Sequence, residues 1–164
     1  MFIPELSTAA QHISAILRDR RETVAVAEGS AGGLISAALL SVPGASAYYL
    51  GGAVIYTAAA NRAWMAGAIE TPPGMRGATE VFATYLARSA AVRLGATWGI
   101  GEAGAAGPPN PYGDPAGHCW TAVAGPLDRS RHVLTGSDDR SDNMVAFAVA
   151  ALALFAETLA DAPG

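Results

Sequence analysis

Thr23-Val24-Ala25-Val26-Ala27-Glu28-Gly29-Ser30-Ala31-Gly32-Gly33-Leu34-Ile35 decides the fold. Residues 23–27 form a short apolar run with β-branched members. The glycine-rich segment 28–33 breaks it, and Leu34, Ile35, Ala38 and Leu39 then recur at helical spacing,. The stretch reads as strand, tight turn, helix. Upstream, Ala10, Ile13, Ile16 and Leu17 predict an amphipathic helix over residues 7–21, with Ser7 as its N-cap and Arg18, Arg20 and Arg21 suiting its negative C-terminal end,. Downstream, residues 50–57 predict a second strand and 58–66 a short helix, stopped by Thr71-Pro72-Pro73-Gly74,. Thr79 and Gly95 bracket a helix over 79–94, since a threonine caps the start and a glycine takes the left-handed turn past the end,.

Residues 97–101 read as a third strand feeding a long loop, 102–117, rich in Gly, Pro, Ala and Asn,. Strands over 118–124 and 131–135 form a hairpin-like pair, and an alanine-rich helix over 142–159 closes the chain,. Strands alternating with helices predict an α/β fold, a single three-layer α/β/α domain over residues 1–164 with a mostly parallel sheet,. Ligands in such sheets sit beyond the carboxyl ends of the strands. The loops after Ala27 and Gly101 are therefore expected to line one crevice,.

Composition narrows the function classes. With 51% apolar residues among 164, the chain can bury a core without staples, and the lone Cys119 cannot close an intrachain disulfide,. All ten basic residues are arginine; against fourteen acids they leave a net charge of −4, so nucleic acid and anionic membrane are not expected partners,. The apolar run 144–156 is shorter than the roughly 20 residues a spanning helix needs,. Met1-Phe2-Ile3-Pro4-Glu5 lacks the basic start of a secretory leader, which predicts a cytoplasmic protein,.

Several residues invite chemistry. The turn Gly29-Ser30-Ala31-Gly32-Gly33 offers backbone N–H groups at a helix N-terminus, a place for phosphate or carboxylate, with Ser30 as cap or anion ligand,. It matches neither a dinucleotide fingerprint nor a P-loop, which needs a lysine. Glu28 and Glu102 each follow a strand, and two carboxylates on one crevice can divide acid and base roles,. His118 and Cys119 are neighbours on a strand and point to opposite faces, and His12 and His132 complete no ligand triplet, so neither metal nor cofactor is expected,.

The motifs resemble the CinA C-terminal domain, or nicotinamide-nucleotide amidase, family over nearly the whole chain. Ala27-Glu28-Gly29-Ser30-Ala31-Gly32-Gly33 is similar to the family's A-E-S-C-T-G-G. The run from Gly52 through Tyr56 to Asn61 is similar to G-x-x-x-Y-S-N-x-x-K, and Ala103-Gly104-Ala105-Ala106-Gly107-Pro108 to S-G-I-A-G-P. Pro115-Ala116-Gly117-His118-Cys119-Trp120 and Asp138-Asp139-Arg140 echo the blocks that follow.

The resemblance implies an amidase that converts nicotinamide mononucleotide to nicotinate mononucleotide and ammonia without a metal, using a serine nucleophile and a lysine base. Here Gly29, Asn61 and Ala103 stand at the serine, the lysine and the opening serine of the third block. No lysine exists elsewhere in the chain, and arginine stays protonated and cannot act as base,. Gly32, Gly33, Tyr56, Gly104, Gly107 and Arg140 remain as the ligand-binding framework.

The expected function is thus a catalytically impaired or non-catalytic member that binds a nucleotide-like small molecule. One alternative is a hydrolase with rebuilt chemistry on Ser30, Glu28 and Glu102. Another is a structural homo-oligomer, which the alanine-rich helices suit,.

Overall fold

The computed structural model describes residues 3–163; Met1 and Phe2, at the start of the stretch read against a leader, and Gly164 lie outside the described residues. Helix α1 (Pro4–Arg20) starts at Pro4 rather than after Ser7. Proline fits a first helical turn, where its missing N–H costs nothing. Ser7 lies inside the helix, and its hydroxyl donates to the Ile3 carbonyl at 3.1 Å. Leu6, Ala10, Ile13 and Leu17 form the buried stripe.

The remaining elements are β1 (Val24–Glu28), α2 (Leu34–Leu40), β2 (Tyr49–Val54), α3 (Ala58–Trp64), α4 (Glu80–Leu94), β3 (Trp98–Ala105), β4 (His118–Ala124), β5 (Arg129–Leu134) and α5 (Arg140–Asp161). Thr79 caps α4 by accepting from the Phe82 N–H, and Gly95 closes it in the left-handed conformation, as their residue types predict.

The strands form one sheet in the order β2-β1-β3-β4-β5. Strand β1 runs parallel to β2 and β3, while β4 runs antiparallel to both of its neighbours, so the parallel half carries a hairpin on one side. On one face Val24, Val26, Trp98, Ile100 and Cys119 pack beneath α1, α2 and α5 against Leu17, Ile35, Phe147 and Phe155. On the other, Ala25 and Ala27 meet Met65, Tyr85, Leu86 and Ala90. Alternation along β1 and β3 thereby builds the expected three layers.

Two further departures concern β3 and α5. Strand β3 continues through Glu102 to Ala105, so Glu102 is a strand residue and not the start of a loop. Glu-Ala-Gly-Ala has weak strand propensity; pairing with both β1 and β4 overrides it,. Helix α5 spans 22 residues and is, among the described residues, the one helix long and apolar enough to cross a membrane, yet half of its apolar window is buried. Its Phe147, Ala151, Leu152, Phe155 and Leu159 are sealed against α1, α2 and the sheet, which makes it a core helix of this fold.

Candidate functional site

The two loops do meet. Three adjoining hollows of about 300, 100 and 230 Å³ share Tyr56 as a common wall beyond the ends of β1, β2 and β3. Gly29 and Ser30 come from the first loop, Ile55 to Ala58 and Asn61 from the second block, and Ala103 to Pro111 from the third. Phe82, Met75 and Arg76 close the far side. A larger hollow, about 440 Å³, lies elsewhere between β2, α3 and α4; its walls are Leu50, Ala53, Trp64, Met65 and Leu94, with Arg93 its one charged residue.

Glu28 stands apart from this crevice. Fully buried, its carboxylate accepts from the N–H groups of Gly33 (3.0 Å), Ile35 (3.1 Å) and Ser36 (2.9 Å) and from the Ser36 hydroxyl (2.7 Å). Gly32 and Gly33, at φ of +67° and +100°, fold the chain back so that α2 begins directly over this side chain. The helix N-terminus that the sequence offers to an external anion is thus filled by the chain's own carboxylate. Glu28 is a cap with no free lone pair for acid or base work, and Gly32 and Gly33 shape the turn rather than line the crevice.

Glu102 sits beside Glu28 in the parallel register of β1 and β3. One of its oxygens accepts from the N–H groups of Gly29 (3.0 Å) and Ala31 (2.7 Å), and the other from the hydroxyl of Ser30 and the thiol of Cys119 (3.3 Å). Burial pushes the Glu102 carboxyl up from its ordinary 4.5, and the Glu28 charge adds to the effect, against the lowering contributed by Ser30, Ala31 and Cys119. The Cys119 thiol is driven well up by burial and by the Glu102 charge, and it serves as core.

A carboxyl that holds its proton more tightly when folded contributes stability that is fully present below pH 4.5 and is lost as pH rises through the raised folded value,. Urea titrations between pH 4 and 9 are expected to show wild-type stability falling relative to Glu102→Gln across that window. Parallel curves would contradict it.

Ser30 is 7% exposed and faces two of the three hollows. Asn61, on α3, lines the largest of them with its amide oxygen buried and without a hydrogen-bond partner. Arg140, the first residue of α5, donates to the Gly107 carbonyl and, at 2.9 Å, to the Tyr56 hydroxyl. Gly104 must be glycine because a Cβ there would lie 2.4 Å from the His118 carbonyl oxygen. Of the residues read as ligand-binding, Tyr56, Gly104, Gly107 and Arg140 therefore converge on the crevice.

Sequence reasoning missed Arg76, Phe82 and Ala78. Arg76 is paired with Asp114 at 2.7 Å and lies over the Tyr112 ring at 4.9 Å. Asp114 is held below the usual carboxylate range chiefly by that guanidinium. Ala78, at φ +56°, presents its carbonyl to His118 Nε2 at 2.8 Å, and the other nitrogen of His118 meets His132. Tyr112 is 62% exposed and lines the largest of the three hollows. Among the described residues no three His, Cys, Asp or Glu side chains gather as a metal-ligand set.

The family model described as the CinA C-terminal domain matches residues 6–159. A CinA-like protein of Synechocystis is 34% identical over 81% of this chain and 32% of its own length, and one of Salinibacter ruber is 37% identical over 83% and 33%. The chain thus spans about a third of the length of the curated relatives it matches. Among solved structures, a competence/damage inducible protein from Agrobacterium tumefaciens superposes with a TM-score of 0.86 at 25% identity, covering 96% of this chain and 98% of that one. A CinA superfamily protein from Klebsiella pneumoniae gives 0.86 at 24% identity, covering 94% and 98%, a likeness of fold.

Proposed function

Because the chain belongs to the CinA C-terminal domain family, we propose that it binds a pyridine-nucleotide-like small molecule in the crevice walled by Tyr56, Ser30 and Arg140, without the lysine-dependent amide hydrolysis that the family resemblance implies. The observation that carries this reading is the coexistence of an open crevice with Gly29 and Asn61 at the serine and lysine positions. A hydroxyl is a weak nucleophile at its free pKa and needs a base beside it. Asn61 carries an amide, which cannot take a proton at neutral pH.

The walls suit such a ligand. Phe82 and Tyr112 offer aromatic faces for a ring, and the Arg140 guanidinium can pair with phosphate as a charge-assisted donor,. The expected result in calorimetry is saturable binding of nicotinamide mononucleotide or nicotinate mononucleotide, with no ammonia released above buffer from the former. Absence of binding to either at millimolar concentration removes the reading. Ammonia release at the pace of a serine–lysine amidase removes its second half.

A further inference from the structure

We propose that Ser30 and Glu102 form a serine–carboxylate pair able to carry acyl transfer in this crevice, with Ser30 Oγ as nucleophile and Glu102 as its general base. The inference uses the crevice of the functional reading but not its ligand. Its test therefore employs a probe that needs no nucleotide contact.

Three features converge. First, Ser30 lines two of the hollows and its hydroxyl donates directly to Glu102, so a crevice residue already has its proton aimed at a base. Second, Glu102 is pre-organised: Gly29 and Ala31 fix one carboxylate oxygen through their N–H groups, and the other is left to Ser30 and Cys119. A base locked by such bonds pays no reorganisation when it acts. Third, Glu102 is fully buried, so taking a proton relieves a desolvated charge rather than creating one,. This pair differs in position and in chemistry from the serine and lysine implied by the family motifs, whose places hold Gly29 and Asn61.

Ser30 Oγ forms a bond to the carbonyl carbon of the acyl donor as its proton passes to Glu102, and the carbonyl π pair moves onto oxygen. That pair returns as the bond to the leaving group breaks, and the leaving group departs with the proton held by Glu102. Water then attacks the Ser30 ester, Glu102 accepting one of its protons, and the carboxylic acid leaves as the proton returns to Ser30. The sum is acyl donor plus water to acid plus leaving group, with no oxidation or reduction.

The probe is p-nitrophenyl acetate, whose good leaving group isolates attack by the hydroxyl. Nitrophenolate release is followed from pH 5 to 9, and the quenched protein is weighed intact and mapped for acetyl. Wild type is expected to show an acetyl group on the peptide containing Ser30 and release faster than Ser30→Ala by at least about 100-fold, because the variant lacks the hydroxyl that the base activates. Glu102→Gln is expected to lower release by a similar factor and to flatten the acidic limb of the pH profile, a readout that a merely structural role for Glu102 would not move. Ser30→Ala removes only a hydroxyl and decides the matter if Glu102→Gln fails to fold. Equal rates in wild type and Ser30→Ala, or acetyl found only on other residues, overturn the proposal. If nucleotides bind while Ser30 stays unacylated, this inference fails and the binding reading survives; acylation without nucleotide binding gives the reverse.

Discussion

Glu28→Ala is expected to lower the free energy of unfolding by about 4 kcal/mol, enough to leave a typical domain of about 5–15 kcal/mol marginal at 37 °C. Three backbone N–H groups and the Ser36 hydroxyl converge on this carboxylate in a site without solvent access. Each buried donor left unpaired costs about 1–3 kcal/mol, and some water entry brings the total below the plain sum. Urea denaturation followed by circular dichroism measures it. Glu28→Gln is expected to cost less, because its amide oxygen still accepts while its NH2 group faces a donor. A loss under about 1 kcal/mol in Glu28→Ala would show that α2 does not depend on this cap.

Gly101→Ala is expected to cost about 3 kcal/mol, at the upper end of what overpacking imposes. The added Cβ would stand 1.9 Å from the Ala83 carbonyl oxygen and 2.7 Å from the Ala87 nitrogen, both backbone atoms of α4 that cannot swing aside. The same closeness holds at Gly99, where the nearest atom is the Ala87 carbonyl oxygen at 1.8 Å. Helix α4 lies against β3 because glycines face it from the strand and fully buried Ala83 and Ala87 answer from the helix. The midpoint of a guanidinium titration should fall without a change in slope; an unchanged midpoint would mean that α4 shifts freely.

The parts of the fold legible in the sequence were those with a local cause. The run 23–35 shows its strand, turn and helix because each segment has its own periodicity, and α4 shows its ends because Thr79 and Gly95 act within a turn of themselves. Strand β3 hid its second half, since Glu102 inside a sheet makes sense only with the Gly29 and Ala31 N–H groups, which arrive from more than seventy residues away. The same separation explains why Glu28 and Glu102 looked alike. Both follow apolar runs, and only three-dimensional proximity shows that one caps a helix while the other holds the hydroxyl of a residue that lines the crevice. Arg76 and Phe82 were silent because no pattern ties them to the crevice they line.

The hydrogen bond from Arg140 to Tyr56 joins positions 84 residues apart in a place where Tyr56 is 64% exposed. An interaction so open to water contributes only about 1 kcal/mol, which leaves it broken roughly one sixth of the time. A guest that takes the Tyr56 hydroxyl away from Arg140 therefore forfeits only about sixfold in apparent affinity.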